Sequence, residues 1–352
     1  MLSLPLLPPR RPPGRFLRVW GRAVHLVDEG GGPSGGPVAL LEAGLGGSWL
    51  GWDPVVSELC PGPHGSDDSD GSGESNDSGQ SGDGDSNGNG SGLRVLRADR
   101  PGLGRSQPAP GVPSLALRAA WTAALLDAVG VREPVVVCGH SLGGLYTEAF
   151  ARLHPERVAG AVLVEAHAPN VTGEVLGRRD ARVRTARTVG DAFRLAGLSQ
   201  LVAPGVRRLG MRTQSVRRGD QSDVGDAYRS AYGAGHCLTE ALVERVLVRD
   251  FLAELAELRE SAPFPEVPLC VLSAPGADRG VYEAQAKMSP LGRHVEVDGA
   301  LHLMPVDRPD AIADAVRAVA GGPLSVDPPP RRSRHGVADA VDAFYDAYDA
   351  CP

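Results

Sequence analysis

The chain has 352 residues, enough to bury a full α/β core as one large domain or two ordinary ones. Hydrophobic residues make up 42% and charged residues 22%, a globular balance, and no apolar run approaches the ~18 residues of a membrane span. The net charge is −7, and the stretch from His64 to Gly92 holds six Asp and one Glu with no Lys or Arg, so it carries the whole imbalance and no basic field points to a nucleic-acid partner.

The opening segment, 1–15, is briefly apolar but interrupted by Pro, and no small-residue cleavage motif follows it. The chain therefore reads as cytoplasmic, with a disordered start. Phe16–Val27 alternates apolar and polar positions, which predicts one early strand at a sheet edge. Val38–Leu41 is a short buried strand that delivers the chain into Glu42-Ala-Gly-Leu-Gly-Gly47, and Trp49–Leu59 reads as a helix.

Residues 64–92 are almost wholly Gly, Ser, Asp and Asn and cannot bury enough apolar surface to offset their ordering entropy, so a disordered acidic insertion is expected. Within it, Asp83-Gly-Asp-Ser-Asn-Gly88 imitates the start of a calcium loop, but its twelfth position is Arg94 rather than Glu and no helices flank it, which argues against a metal. Cys60, Cys138, Cys237, Cys270 and Cys351 are scattered without C-x-x-C spacing and signal neither a disulfide framework nor zinc.

Leu93–Ala98 resumes as a strand and runs into Asp99-Arg-Pro-Gly-Leu-Gly-Arg-Ser106. Ser114–Val129 is a helix, with Ser114 as N-cap and Gly130 as its stop. Pro134–Cys138 and Val158–Val164 are fully apolar strands separated by a helix over Leu142–Leu153, the alternation expected of a parallel sheet covered on both faces. Residues 168–263 break that rhythm. They are helix-like, and between Arg178 and Arg229 there are twelve Arg against five Asp, read as a solvated cationic face rather than a membrane-binding one. Strands return at Val267–Ser273 and Arg293–Val297, followed by a helix at Pro309–Ala320. A tail over 321–352 includes a short helix at Val337–Tyr348.

The chemistry concentrates at Gly139-His140-Ser141-Leu142-Gly143. A strand precedes this G-x-S-x-G and a helix follows, so the turn must be tight and strained and must hold the Ser141 hydroxyl proud of the sheet. Gly139 and Gly143 are needed because side chains there would clash across the turn. Of the nine histidines, His302 in Gly299-Ala-Leu-His-Leu-Met304 stands after a late strand and before the last helix, the setting expected of a general base. The acid that orients it has two candidates. Glu165 ends the strand Ala161–Val164, and Asp278 lies in the loop after Val267–Ser273; Glu165 is preferred because it sits at the strand end itself. Two backbone N–H groups should bind a developing oxyanion, that of Leu142 directly after the serine and that of Leu45 in the glycine-rich loop after the early strand.

Three segments, Glu42–Gly47, Asp99–Ser106 with Gly139–Gly144, and Asp298-Gly-Ala-Leu-His-Leu-Met-Pro-Val-Asp-Arg-Pro309, resemble the α/β-hydrolase superfamily in its lid-bearing serine esterase, lipase and lactonase-like branch. The resemblance covers about residues 16–167 and 264–320. It implies a mostly parallel eight-stranded sheet flanked by helices, with residues 168–263 as a helical cap, and neither metal nor organic cofactor. Ala43-Gly44 replaces the family's usual His-Gly pair, and Asp278 falls about one residue late for the common acid position, so both acids stay open. Haloalkane dehalogenases and epoxide hydrolases of this fold use Asp as nucleophile, so Ser141 points to esters, thioesters, lactones or amides. The expected activity is hydrolysis of a small acyl substrate through an acyl-enzyme on Ser141. An acyltransferase on the same groups, or a receptor that keeps the fold without turnover, are the alternatives.

Overall fold

The computed structural model describes residues 13–31, 36–60, 92–166, 177–217, 232 and 235–321. Nearly all of the Pro-rich start and of the acidic insertion, including Asp83–Gly88, and the whole tail helix fall outside them.

Eight strands form one sheet: β1 (Arg15–Val19), β2 (Arg22–Gly30), β3 (Val38–Glu42), β4 (Arg94–Ala98), β5 (Val135–His140), β6 (Val158–Val164), β7 (Leu269–Ser273) and β8 (Gly292–Glu296), in the order β1-β2-β4-β3-β5-β6-β7-β8. β2 pairs antiparallel with β1 and β4, and every other pairing is parallel. The single strand expected over Phe16–Val27 is a hairpin instead. Trp20 and Gly21 both take positive φ, 50° and 76°, and form the two-residue turn whose twist suits a hairpin. Among the side chains that share one core cluster, parity changes across the turn, from Leu17 and Val19 to Val24 and Leu26, while His25 and Val27 are buried on the other face.

Helices cover both faces: α1 (Asp53–Leu59), α2 (Leu115–Val129), α3 (Leu142–Leu153), α4 (Arg179–Leu195), α5 (Ser199–Gln214), α6 (His236–Ser261), α7 (Arg279–Ala286), α8 (Met304–Asp307) and α9 (Pro309–Val319). The helix expected over Trp49–Leu59 begins as a 3-10 turn at Trp49–Trp52 before α1. The Ser114 hydroxyl accepts the Leu117 N–H at the start of α2, and Gly130 ends it in the left-handed conformation at φ 82°.

Along β5, Val135 and Val137 face a cluster with Phe150 of α3, Leu125 of α2 and Tyr282 of α7. Val136 and Cys138 face the opposite cluster, with Trp52 and Val55 near α1 and Ile312 and Val316 of α9. Burial on both faces explains why β5 and β6 read as unbroken apolar runs, each such side chain stabilising the fold by roughly 1.5–3 kcal/mol. A third cluster joins the start of α3, at Leu142, Leu145 and Tyr146, to Val183 of α4 and to Val243, Leu247 and Phe251 of α6. The helical segment after β6 is thereby packed onto the C-terminal end of the sheet. No helix among the described residues is long and apolar enough to cross a membrane.

Candidate active site

β5 ends in the sharp turn at Ser141, whose φ of 52° and ψ of −122° lie outside the regions an L-residue ordinarily occupies. Packing imposes this backbone. A Cβ on Gly139 would run into the Gly143 carbonyl and the Thr147 hydroxyl, and one on Gly143 would run into the carbonyls of Glu42 and Ala43. The helix after the serine is thus pressed against the end of β3, and only glycine fits at the two contact points. The Ser141 N–H donates to the Val164 carbonyl at 2.9 Å, which ties the turn to the neighbouring strand.

Ser141 Oγ lies 3.0 Å from His302 Nε2, and His302 Nδ1 lies 3.3 Å from Glu165 Oε2. The other Glu165 oxygen accepts the Ala274 N–H at 2.6 Å, which aims the carboxylate at the imidazole. Glu165 itself takes a positive φ of 46° as the chain leaves β6. A carboxylate only accepts, so this arrangement assigns the proton to Nδ1 and leaves the Nε2 lone pair facing the serine hydroxyl.

Asp278 is not brought to this group. It is exposed at the N-terminus of α7, where its side chain accepts the Gly280 N–H at 3.0 Å as a helix cap. That local role accounts for its sequence position just before a helix.

The loop carrying His302 is held from three sides. The His140 Nε2–H donates to the His302 carbonyl at 2.7 Å. Buried Asp307 accepts the Leu301 N–H at 2.9 Å and, on its other oxygen, the Ser215 hydroxyl at 2.5 Å. The Leu303 N–H donates to the Gln214 carbonyl at 2.8 Å, so the end of α5 braces the loop next to His302.

Leu142 is the first residue of α3, so its N–H belongs to the unpaired first turn beside Ser141. Across from it lies the turn after β3. A Cβ on Gly44 would stand 3.4 Å from the Ser141 Cβ and 3.1 Å from His140 Nδ1, which places the Gly44 α-carbon close against the serine. The buried Arg100 guanidinium donates to the Ala43 carbonyl at 2.6 Å and to the Gly44 carbonyl at 2.7 Å.

The sequence reading gives no role to Arg100, Asp307 or Glu244, although the first two lie inside the motifs it singles out. In Asp99–Ser106, the Asp99 carboxylate accepts the N–H groups of Trp49 and Arg105, each at 2.9 Å, and lies 2.9 Å from His25 Nδ1. A Cβ on Gly104 would collide with that carboxylate, so the motif is a brace that delivers Arg100 to the glycine loop. Burial opposes ionisation of Glu244, but Arg100 and Arg118 outweigh it and hold the carboxyl below its ordinary pKa, while burial pushes the Glu42 carboxyl up.

A family profile described as the alpha/beta hydrolase fold matches residues 81–192. Among solved structures, the chain is 21% identical to a thermophilic esterase from Thermogutta terrifontis, over 87% of this chain and 97% of that one, with a TM-score of 0.58. It is 22% identical to the enol-lactonase from Burkholderia xenovorans, over 87% of this chain and 100% of that one, with a TM-score of 0.59. A haloalkane dehalogenase from Agrobacterium tumefaciens is 16% identical over 88% of this chain and 96% of its own, with a TM-score of 0.61. These levels of likeness establish a shared fold and leave the reaction to be argued from the site.

Proposed function

Because the chain belongs by fold to the α/β-hydrolase superfamily, we propose that it is a serine hydrolase that cleaves a small carboxylic ester, thioester or lactone through an acyl-enzyme on Ser141. One observation carries the reading: Ser141 Oγ, His302 and the Glu165 carboxylate form an unbroken line of contacts, at 3.0 and 3.3 Å, at the tip of a strained strand-to-helix turn.

In this reading the serine oxygen attacks the substrate carbonyl carbon as its proton passes to His302 Nε2. Glu165 stabilises the imidazolium and keeps the ring in register, a contribution of roughly 10²–10⁴ in rate for positioned proton transfer. The carbonyl oxygen becomes an alkoxide between the N–H groups of Leu142 and Leu45. Donors in place before the charge develops are each worth about 10²–10³ in kcat. His302 then gives its proton to the leaving oxygen or sulfur, and water attacks the acyl-serine by the same steps in reverse. Attack of Ser141 on an alkyl carbon would instead leave an ether that no such step could cleave, so among the chemistries of structural neighbours the serine favours acyl transfer.

The helices α4–α6 would act as a cap that shapes the acyl pocket. Covalent labelling by a fluorophosphonate probe, with p-nitrophenyl ester turnover read alongside, tests the proposal. Wild type should label and turn over, and Ser141→Ala should lose both, with turnover falling at least ~10⁴-fold. A folded wild type that does neither overturns the reading.

A further inference from the structure

The mechanism above leaves a group of buried charges unused. Arg100, Glu244, Glu42 and Arg118 lie together behind the glycine loop, around the Tyr146 ring, and all are buried. Glu244, from the middle of α6, is the centre of the group: its side chain is 0% exposed. One carboxylate oxygen accepts from Arg100 Nε at 2.9 Å; the other accepts from Arg100 Nη2 at 3.1 Å and from the Gly46 N–H at 2.8 Å. An ion buried this completely is tolerated only when its lone pairs are filled, and here they are filled by the oxyanion loop, by the arginine that grips that loop and, at 3.4 Å, by the Tyr146 hydroxyl.

The bond directions give the cluster a consequence for chemistry. In a trans peptide the C=O and the N–H lie in one plane and point in opposite directions. Arg100 Nη2 donates to the Gly44 carbonyl at 2.7 Å, and the Gly47 N–H, closing the turn, donates to the same oxygen at 3.0 Å. The N–H of that same peptide unit belongs to Leu45 and points away from Arg100. The two terminal nitrogens of Arg100 are held by the Ala43 and Gly44 carbonyls, and the acceptor that completes its guanidinium plane, on Nε, is Glu244. Glu42, with its nearest oxygen 3.7 Å from Arg100 Nη1, is too far to replace that bond. The direct bond from Gly46 to Glu244 clamps the far side of the turn, and the Ser48 N–H donates to Tyr232 at 3.0 Å beyond it.

We propose that Glu244 is a positioning residue for the oxyanion hole: through Arg100 and Gly46 it sets the direction of the Leu45 N–H, so that this donor is in place only when α6 is docked on the sheet. The inference rests on the serine-hydrolase reading. It makes the helical segment part of the catalytic geometry, in addition to any role in admitting substrate.

The test compares wild type, Glu244→Gln, Glu244→Asp and Glu240→Gln on a p-nitrophenyl ester and on an alkylboronic acid, which forms a tetrahedral adduct on the serine. Glu240 sits one turn earlier on α6, is also buried, and its ion-pair partner is Arg187 at 3.8 Å. In Glu244→Gln, kcat should fall about 10- to 100-fold with KM within about threefold, and boronate affinity should fall by the same factor as kcat/KM. Glu240→Gln should keep both. Should Glu244→Gln fail to fold, Glu244→Asp, which keeps the charge but withdraws it from Gly46, should show the same split at a smaller size. A kcat within twofold of wild type in the folded Glu244 variants, or an equal loss in Glu240→Gln, overturns the inference and leaves the hydrolase reading standing. A wild type without turnover or fluorophosphonate labelling overturns both.

Discussion

The serine turn and the two loops that face it are held by different forces. Around Ser141 the determinants are shape and backbone: apolar strands on both sides, a strand-to-strand N–H bond, and Gly139 and Gly143 where carbonyls of neighbouring segments press in. The glycine loop and the His302 loop are held by buried charged groups whose partners lie in the helical segment, Glu244 for one and, through Asp307, Ser215 for the other. Ser141 is therefore placed mainly by the sheet and its glycines, while the His302 loop and the glycine loop depend also on segments packed over the sheet.

Mutations should separate these two kinds of support. The largest effect beyond loss of Ser141 is expected at the acid. Glu165→Gln cannot stabilise the imidazolium, so kcat should drop about 10³- to 10⁴-fold with a near-native melting curve. Asp278→Asn should stay within about threefold and lose no more than ~1 kcal/mol of helix capping, measured by urea unfolding. If the two results were exchanged, the carboxylate seen beside His302 would not be the one that works with it. Gly143→Ala attacks the shape-held half: its methyl has nowhere to go between two carbonyls, and a loss of about 1–3 kcal/mol or more in unfolding free energy is expected.

The charge-held half should show in acid. The Glu244 carboxyl is held below its ordinary pKa in the folded protein, with Arg100 overcoming the burial that opposes ionisation. Its contribution to stability is therefore complete above the unfolded carboxyl pKa of ~4.3 and is lost as the pH falls through the lower folded value. Glu42, pushed up by burial, acts with the opposite sign. Melting temperature followed from pH 6 to 3 should fall less steeply in Glu244→Gln than in wild type; parallel curves would show that Glu244 does not carry this acid sensitivity.

The same division explains what could be read from the chain. β5, β6, α2 and α3 are visible as apolar runs with glycine or serine at their ends because the forces that shape them act between near neighbours or on whole strands. The hairpin at Trp20-Gly21 is hidden because apolar alternation on either side masks the change of parity at the turn. Ser141, His302 and Glu165 can be found as residues at strand ends, although choosing Glu165 over Asp278 needs the direction of one side chain. Arg100 and Glu244 stand 144 positions apart, and a glutamate on a polar helix looks like any solvated residue until the fold closes over it. No local pattern encodes such a pair.

The unusual dihedral angles of Ser141 are imposed by backbone packing at its glycine neighbours and by the bond from its own N–H to the neighbouring strand. The position works as a socket: whatever residue occupies it is thrust toward the same point in space. A Ser141→Cys or Ser141→Asp chain would present a thiolate or a carboxylate there without rebuilding the scaffold, which gives a physical route by which one architecture can be shared by esterases, lactonases and dehalogenases.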